Sequence, residues 1–495
     1  MKLIKNMWVW MMLLISIAVA CNKDDGINVP LQNEANEFVW RAMNIYYYWV
    51  SEVEDLSTDK YPTYDALYTF LNEYAEPEDL FERLLFEGDR FSWIVDDYEA
   101  LEQSFQGVSK SFGFKLGLIR IAEGSDDLMG YVRYVVPGSP AEVAGLKRGD
   151  LFTKADGQQL TLNNYISLLN ESEQVTLALS QILDNEISTT GVEISLVAVE
   201  LTENPILFSD ILEVDGVRVG YLVYNQFVNN GVYHNEMNSI FGRFKTEGIN
   251  DLVLDLRYNR GGSVDTSVIL ASLIYGNGSA RTVFTATKYN EQLEAALIRA
   301  GLDPNEYFTD DIPNTSSQLN RLDLGRVFIL TSGSTASASE LIISGLDPYM
   351  DITLIGTATV GKNLGSTTLY DSPNFRKTPD NSGVNHTKSN YAIQPIISRF
   401  TNINDIDYKD GFEPNIQVNE VDYVNEGLKP LGDPGEALLA EALAIITGTA
   451  RVARPPASKM KAVPDYDIDA VQNSILMDDP ELALVVGDQL YMRNQ

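Results

Sequence analysis

Ser337 in TASASE (Thr335–Glu340) and Lys362 in VGKNLGS stand 25 positions apart, and their types suit covalent catalysis. A serine hydroxyl becomes a useful nucleophile when a neighbouring base takes its proton, and an amine can be that base once it is neutral. Only two histidines are present, His234 and His386, and neither sits in a motif that would serve a serine, so the base is expected to be something else. Two other readings compete. Ser337 can be a plain helix N-cap and Lys362 a solvated loop lysine. Alternatively, Gly356 to Lys362 has the GxxxxGK spacing of a phosphate loop. Against the latter, Asn363 stands where a Mg²⁺-binding Ser or Thr belongs, and Ser366–Tyr370 (STTLY) reads as a strand where a phosphate loop has to open a helix.

The elements that must position these residues read as an α/β sheet. Val327–Leu330 is an apolar strand, followed by a turn and a helix whose inward face carries Leu341, Ile342, Gly345 and Leu346. Ser337 with Glu340 three residues on matches a capping box, and the Ala338 N–H at the helix start is placed to meet a developing oxyanion. Ile352–Ile355 is the next strand and leads into the glycine-rich turn that holds Lys362. Upstream, Val219–Phe227 and Leu252–Leu256 read as strands around a Tyr233–Lys245 helix. The second strand ends in DLRYNRGG (Asp255–Gly262), at the carboxyl end where such sheets place their sites, with Asp255 and Arg257 read as braces for the turn.

DLRYNRGG, TASASE and VGKNLGS, in that order, resemble the signatures of the tail-specific, or C-terminal processing, serine proteases. The resemblance covers roughly residues 35 to 447. It implies a serine endopeptidase whose core is a crotonase-like ββα spiral, with Ser337 as nucleophile and Lys362 as general base. Oxyanion-hole amides would come from Ala338 and from Gly261 or Gly262, with no metal or organic cofactor. Many members carry Gln four residues after the lysine to orient it; here Ser366 holds that position and is the candidate orienting group.

Upstream of the core, SFGF (Ser111–Phe114) and the stretch PGSPAEVAGLKRGD resemble a PDZ domain, with a short helix at Pro140–Ala144 and a turn at Ala155–Gly157. In that fold the backbone amides of Phe112, Gly113 and Phe114 would converge on a substrate C-terminal carboxylate while the ligand adds as a strand.

With 495 residues and 44% hydrophobic composition the chain can bury several cores. The expected class is multidomain α+β: signal peptide 1–20, linker 21–33, helical N-terminal domain 34–102, PDZ-like domain 103–200, protease core 201–447 and tail 448–495. A net charge of −34 argues against nucleic acid or anionic lipid held by charge. One cysteine and two histidines leave no Cys/His zinc set and no intrachain disulfide. That cysteine, Cys21, follows Lys2, Lys5 and an apolar Met7–Ala20 stretch, which resembles a bacterial lipoprotein signal although Ala18 stands where Leu is usual. Lipidation there would anchor the protein in a Gram-negative-type cell envelope, at the periplasmic face or the cell surface. A conventional signal peptide cut after Ala20 is the alternative. The NKDDG stretch resembles surface-export signals of some Bacteroidetes lipoproteins.

Three further expectations concern the remaining segments. The aromatic run Tyr46–Trp49 in a Glu34–Val53 helix reads as core, and nothing in the helical domain suggests chemistry. A polar insertion, Tyr289–Leu324, is expected to cover the cleft, and Tyr391–Ile397 and Asp407–Asn415 are expected to close the core. The tail contains a possible short helix at Pro480–Val486 and an SxxK match at Ser458 and Lys461, read as chance in a proline-flanked polar stretch. The competing function is a lipid-anchored protein that holds peptides or apolar ligands without turnover.

Overall fold

The computed structural model describes residues 28–184, 186–313, 315, 317–378, 382–450, 454–455 and 460–463. The signal segment, Cys21, Ser458 and the Pro480–Val486 helix lie outside them.

The N-terminal region opens with α1 (Glu34–Tyr46), capped by the Asn33 side chain and buried along Phe38, Val39, Ala42, Met43 and Tyr46. It ends earlier than its apolar pattern predicts, because Tyr47 turns extended and 3₁₀ turns follow from Val50 to Lys60. A run of aromatic and β-branched residues supports helix poorly, and tertiary bonds outcompete it. The Tyr48 amide donates to Ile396 O at 2.8 Å, and the Tyr47 hydroxyl donates to Asp89 at 2.7 Å.

The described residues of the insertion pack into cores and line no part of the cleft. Residues Glu291–Ala300 form a helix whose Leu293, Ala296 and Leu297 pack into the core around α1, an apolar face at helical spacing within an on-average polar segment. Phe308, Ile312, Leu319 and Leu322 then enter the core beneath the central sheet. Strand β1 (Trp93–Val95) pairs antiparallel with Ala392–Gln394, so the end of the N-terminal region is stitched into the C-terminal half of the chain.

The domain expected to be PDZ-like is built on β2 (Phe114–Arg120) and β3 (Leu128–Val135), an antiparallel pair continued through Leu151–Ala155 to the hairpin of Gln174–Leu183 and Glu186–Val197. Helix α2 (Tyr165–Leu169) packs on the same core.

The central sheet contains β4 (Ile206–Val214), β5 (Val217–Tyr224), β6 (Asp251–Asp255), β7 (Arg326–Thr331), β8 (Asp351–Gly356) and β9 (Ile416–Gln417), in that order and parallel from β5 onward. Both faces of its inner strands are covered, so those strands are largely apolar and alternate between two cores. Val327 and Ile329 join the helices α3 (Gly231–Glu247), α4 (Val264–Ile274) and α5 (Ala338–Leu346) on one side. Phe328 and Leu330 meet α6 (Ala437–Thr447) on the other. Of the expected closing segments, the first forms Ala392–Gln394 and Ile396–Thr401. Asp407–Asn415 forms no strand; its Asp, Gly and Pro residues make turns, and pairing resumes only at β9. Beyond α6 the chain returns to the PDZ domain, where β10 (Lys461–Ala462) pairs with β2. The Lys461 side chain is largely exposed there, which removes the tail SxxK match as a buried dyad.

Candidate active site

Between β7 and α5 the chain is strapped to DLRYNRGG. Thr335 Oγ1 donates to Leu256 O at 2.9 Å, while Ala336 N and Ser339 Oγ both donate to Asn259 O at 3.1 and 3.0 Å. Within this frame Ser337 adopts φ 63°, ψ −112°, in the left-handed half of backbone space. An ordinary N-cap is extended, so Ser337 is not a plain cap. For a residue with a Cβ this geometry costs on the order of 1–3 kcal/mol, and the straps impose it.

Glu340 does more than cap its helix. Its buried carboxylate accepts Ser337 N at 2.7 Å and Lys362 N at 2.8 Å on Oε2, and Gly361 N at 2.7 Å and Thr359 Oγ1 at 2.5 Å on Oε1. Burial pushes its pKa up, and these four donors pull the other way. One carboxylate therefore joins the turn of the serine to the turn of the lysine. The expected cap pair at Ser337 and Glu340 was the sequence signal for this group.

Lys362 is 4% exposed, and its Nζ has no hydrogen-bond partner among the described residues. Burial pulls its pKa down to about 7, against the attraction of Asp89 and Glu340. The Nζ lies 4.9 Å from the centre of the Phe91 ring. Asp89 is held in place by the Tyr47 hydroxyl and by the amides of Phe91 and Ser92. Phe91 and Asp89 come from the N-terminal region, for which no chemistry was expected; no local motif marks them, because their position follows from β1 docking on the core. Ser366 is fully buried but gives the lysine no hydrogen bond, so it does not orient Lys362 in that way. Nor is Lys362 Nζ hydrogen-bonded to Ser337 in this state. The helix required by a phosphate loop is also missing: Leu364–Ser366 follows the lysine as a strand.

The candidate oxyanion donors separate. Gly261 N donates to Asn259 Oδ1 at 2.8 Å and is already spoken for. Gly262 N has no acceptor among the described residues. Its φ is 135°, and a Cβ there would fall 2.3 Å from Phe227 O, so only glycine fits. Ala338 N lies in the first turn of α5, where amides lack helical acceptors.

Asp255 and Arg257 are braces. Arg257, 1% exposed, pairs with Asp255 and bidentately with Glu436, at 2.6 and 2.8 Å. Arg148 of the PDZ domain enters the same cluster through Glu420, Glu436 and the Tyr258 hydroxyl. Against its burial, Arg148 and Arg257 hold Glu420 down at about 2.

A cavity of about 730 Å³ runs from Phe112, Phe114 and Leu116 of the PDZ domain past Arg133 to Gly261 and Gly262. Gly113, at φ 85°, donates its amide to Ser111 Oγ at 3.1 Å, a bond that an incoming carboxylate would contest.

Comparison with known proteins adds family context to this geometry. Residues 218–418 match the profile of peptidase family S41, residues 34–93 that of the peptidase S41 N-terminal domain, and residues 131–180 that of a PDZ domain. The chain belongs to peptidase family S41. Among its S41 relatives, a carboxy-terminal-processing protease of Bartonella bacilliformis is 24% identical over 314 residues, 61% of this chain and 62% of that protein. A candidate CtpA-like serine protease of Staphylococcus aureus is 25% identical over 358 residues, 70% of this chain and 60% of that protein. The S41 chain thus spans about six tenths of the length of these curated relatives. A crystal structure of a candidate S41 protease from Bacteroides fragilis superposes with a TM-score of 0.64 at 25% identity, covering 83% of this chain and 97% of that one.

Proposed function

We propose that this S41 chain is a serine endopeptidase that uses a Ser–Lys dyad. The observation that carries the reading is the buried Glu340 carboxylate, which ties a strained Ser337 to a lysine whose pKa lies near 7. A lysine at its usual value would be protonated at neutral pH and could not accept a proton. A neutral Lys362 takes the proton of Ser337 Oγ as that oxygen attacks the scissile carbonyl, then delivers it to the leaving amine. The amides of Ala338 and Gly262 receive the oxyanion. The acyl-enzyme is released by water activated at the same lysine.

Two parts of the reading concern recognition and location. The PDZ loop Phe112–Phe114 holds the C-terminal carboxylate of a protein substrate, and the shared cavity supports passage from that loop to the glycine turn. A lipid at Cys21 anchors the mature protein in the cell envelope. No described helix is long and apolar enough to cross a membrane, so the anchor rests on the signal pattern.

The test is digestion of an unfolded protein by the purified chain and by Ser337→Ala, with and without a chelator. Cleavage that survives the chelator and vanishes in the variant is expected; equal cleavage by both proteins overturns the dyad. Apolar-ended peptides should be cut faster as free acids than as amides, and Cys21→Ala should leave the membrane fraction.

A further inference from the structure

Strand β5 ends at Tyr224, and the next residue, Asn225, is 7% exposed. Its main-chain amide donates to Pro205 O at 2.8 Å, but its side-chain Nδ2 is buried without a hydrogen-bond partner among the described residues. Nearly all buried polar groups find a partner, so an orphan calls for a reason. Asn259, a buried asparagine of the adjoining turn, shows the contrast. Its Nδ2 donates to Tyr224 O at 2.8 Å and its Oδ1 accepts Gly261 N at 2.8 Å, so it braces the glycine turn at both ends. Asn225 Nδ2 braces nothing among the described residues.

Its position supplies the reason. Among the described residues with a buried, unpartnered side-chain nitrogen or oxygen, Asn225 is the one that lines the cavity running from the PDZ loop to Gly261 and Gly262. The segment it opens is paired with the glycine turn: Phe227 N donates to Gly261 O at 2.9 Å, and Ser263 N donates to Phe227 O at 2.8 Å. Main-chain bonds therefore fix Asn225 two residues upstream of the point where Gly262 offers its amide. A carboxamide carries one acceptor oxygen and two donor hydrogens, which suits a peptide group. No hydrogen bond holds Nδ2 where it stands, and the terminal torsion of asparagine has broad minima, so the amide can turn to a ligand in the cavity without breaking a bond.

We propose that Asn225 is a substrate-binding residue whose Nδ2 donates to a main-chain carbonyl of the substrate on the C-terminal side of the scissile bond. The side follows from the two ends of the cavity. The terminal carboxylate is held at Phe112–Phe114 and the bond to be cut lies by Gly262, so the stretch of substrate between them belongs to the leaving fragment. A main-chain carbonyl is present at every residue whatever its side chain. The contact therefore fixes the register of the substrate without selecting its sequence, and the substrate supplies the acceptor that the folded chain leaves out.

The inference rests on the substrate route proposed above, and binding is read apart from cleavage so that a failure of the dyad does not enter. Fluorescence anisotropy compares full-length Ser337→Ala protein with the same protein carrying Asn225→Leu; leucine branches as asparagine does and has no donor. The probes are labelled peptides of four and ten residues with an apolar free-acid end. Asn225→Leu should weaken binding of the longer peptide by about tenfold, while the shorter one, which reaches only the carboxylate loop, binds both proteins alike. A set of longer peptides, each with one amide linkage replaced by an ester, locates the contact, since an ester carbonyl is the weaker acceptor. One ester should weaken binding by about threefold or more with asparagine at 225 and have no effect with leucine there. Equal affinity of both proteins for the longer peptide overturns the proposal and leaves Asn225 at most the seat of a buried water. An equal loss for the shorter peptide overturns it as well, because the effect then lies at the carboxylate loop. If the Ser337→Ala protein binds the longer peptide no tighter than the shorter, the route itself is refuted and the proposal with it. Should Asn225→Leu fail to fold, Asn225→Ala takes its place, and the lack of any ester-sensitive linkage in the Ser337→Ala protein is by itself a refutation.

Discussion

Replacing Lys362 with Met tests whether the lysine is buried at a cost to stability that catalysis exploits. Folding moves its pKa from 10.5 to about 7, because burial penalises the charged amine more than Asp89 and Glu340 favour it. In the unfolded chain the amine stays protonated up to 10.5, so between about pH 7 and that value the unfolded state binds more protons and stability rises with pH. Below about pH 7 both states are protonated and the burial penalty is present in full. At about 1.36 kcal/mol per unit over roughly 3.5 units, that penalty is about 4–5 kcal/mol near pH 6 and falls to about 2 near pH 9. Met has similar length and no charge, so Lys362→Met should be more stable than the parent by roughly those amounts, while losing activity. Urea unfolding at the two pH values gives the difference. A variant no more stable near pH 6, or an advantage that does not shrink with rising pH, would refute the account of this site.

Three further perturbations follow from the same geometry. Glu340→Gln keeps the shape but offers one acceptor oxygen to four donors, so kcat should fall by about 10²-fold and stability by about 1–3 kcal/mol, with KM nearly unchanged; a KM-only effect in steady-state kinetics would contradict its placement. Ser337→Gly should abolish turnover yet raise stability by about 1 kcal/mol, since glycine accepts φ 63° without strain, and thermal unfolding reads it directly. Phe91→Ala should let water reach Lys362, raise its pKa and move the acid limb of the pH–rate profile up by about one unit; an unmoved limb would leave Phe91 without influence on the base.

The sequence carried the parts of the site that are local. Ser337, Lys362 and DLRYNRGG are contiguous motifs whose residues meet through short turns, and strands such as Val327–Leu330 declare themselves because a sheet covered on both faces needs apolar runs. Phe91 and Asp89 were silent because their role is created by docking across more than 250 residues of chain. Ser366 was named for its offset from the lysine, but offset does not fix side-chain direction at the end of a short strand whose register shifts between Gly365 and Ser366, and the pocket offers Nζ a ring where an acceptor was expected. The polar insertion misled for a similar reason: average polarity hid the three-residue apolar face of Glu291–Ala300.

Arg148 makes the PDZ domain and the DLRYNRGG turn shareholders in one buried charge. It belongs to the first by chain and to the second by its bonds to Glu420, Glu436 and Tyr258. Pulling the domain away would leave Asp255, Glu420 and Glu436 to share Arg257, a loss on the order of 3–5 kcal/mol for a buried pair broken on one side. Drift of the domain by small steps is therefore disfavoured, and displacement has an all-or-none character. Moving such an equilibrium from mostly seated to mostly released takes a differential binding energy of about 5.5 kcal/mol. Because the cluster is dry, added salt would screen it little, so the seating of the domain should be far less sensitive to ionic strength than a surface contact of the same charges.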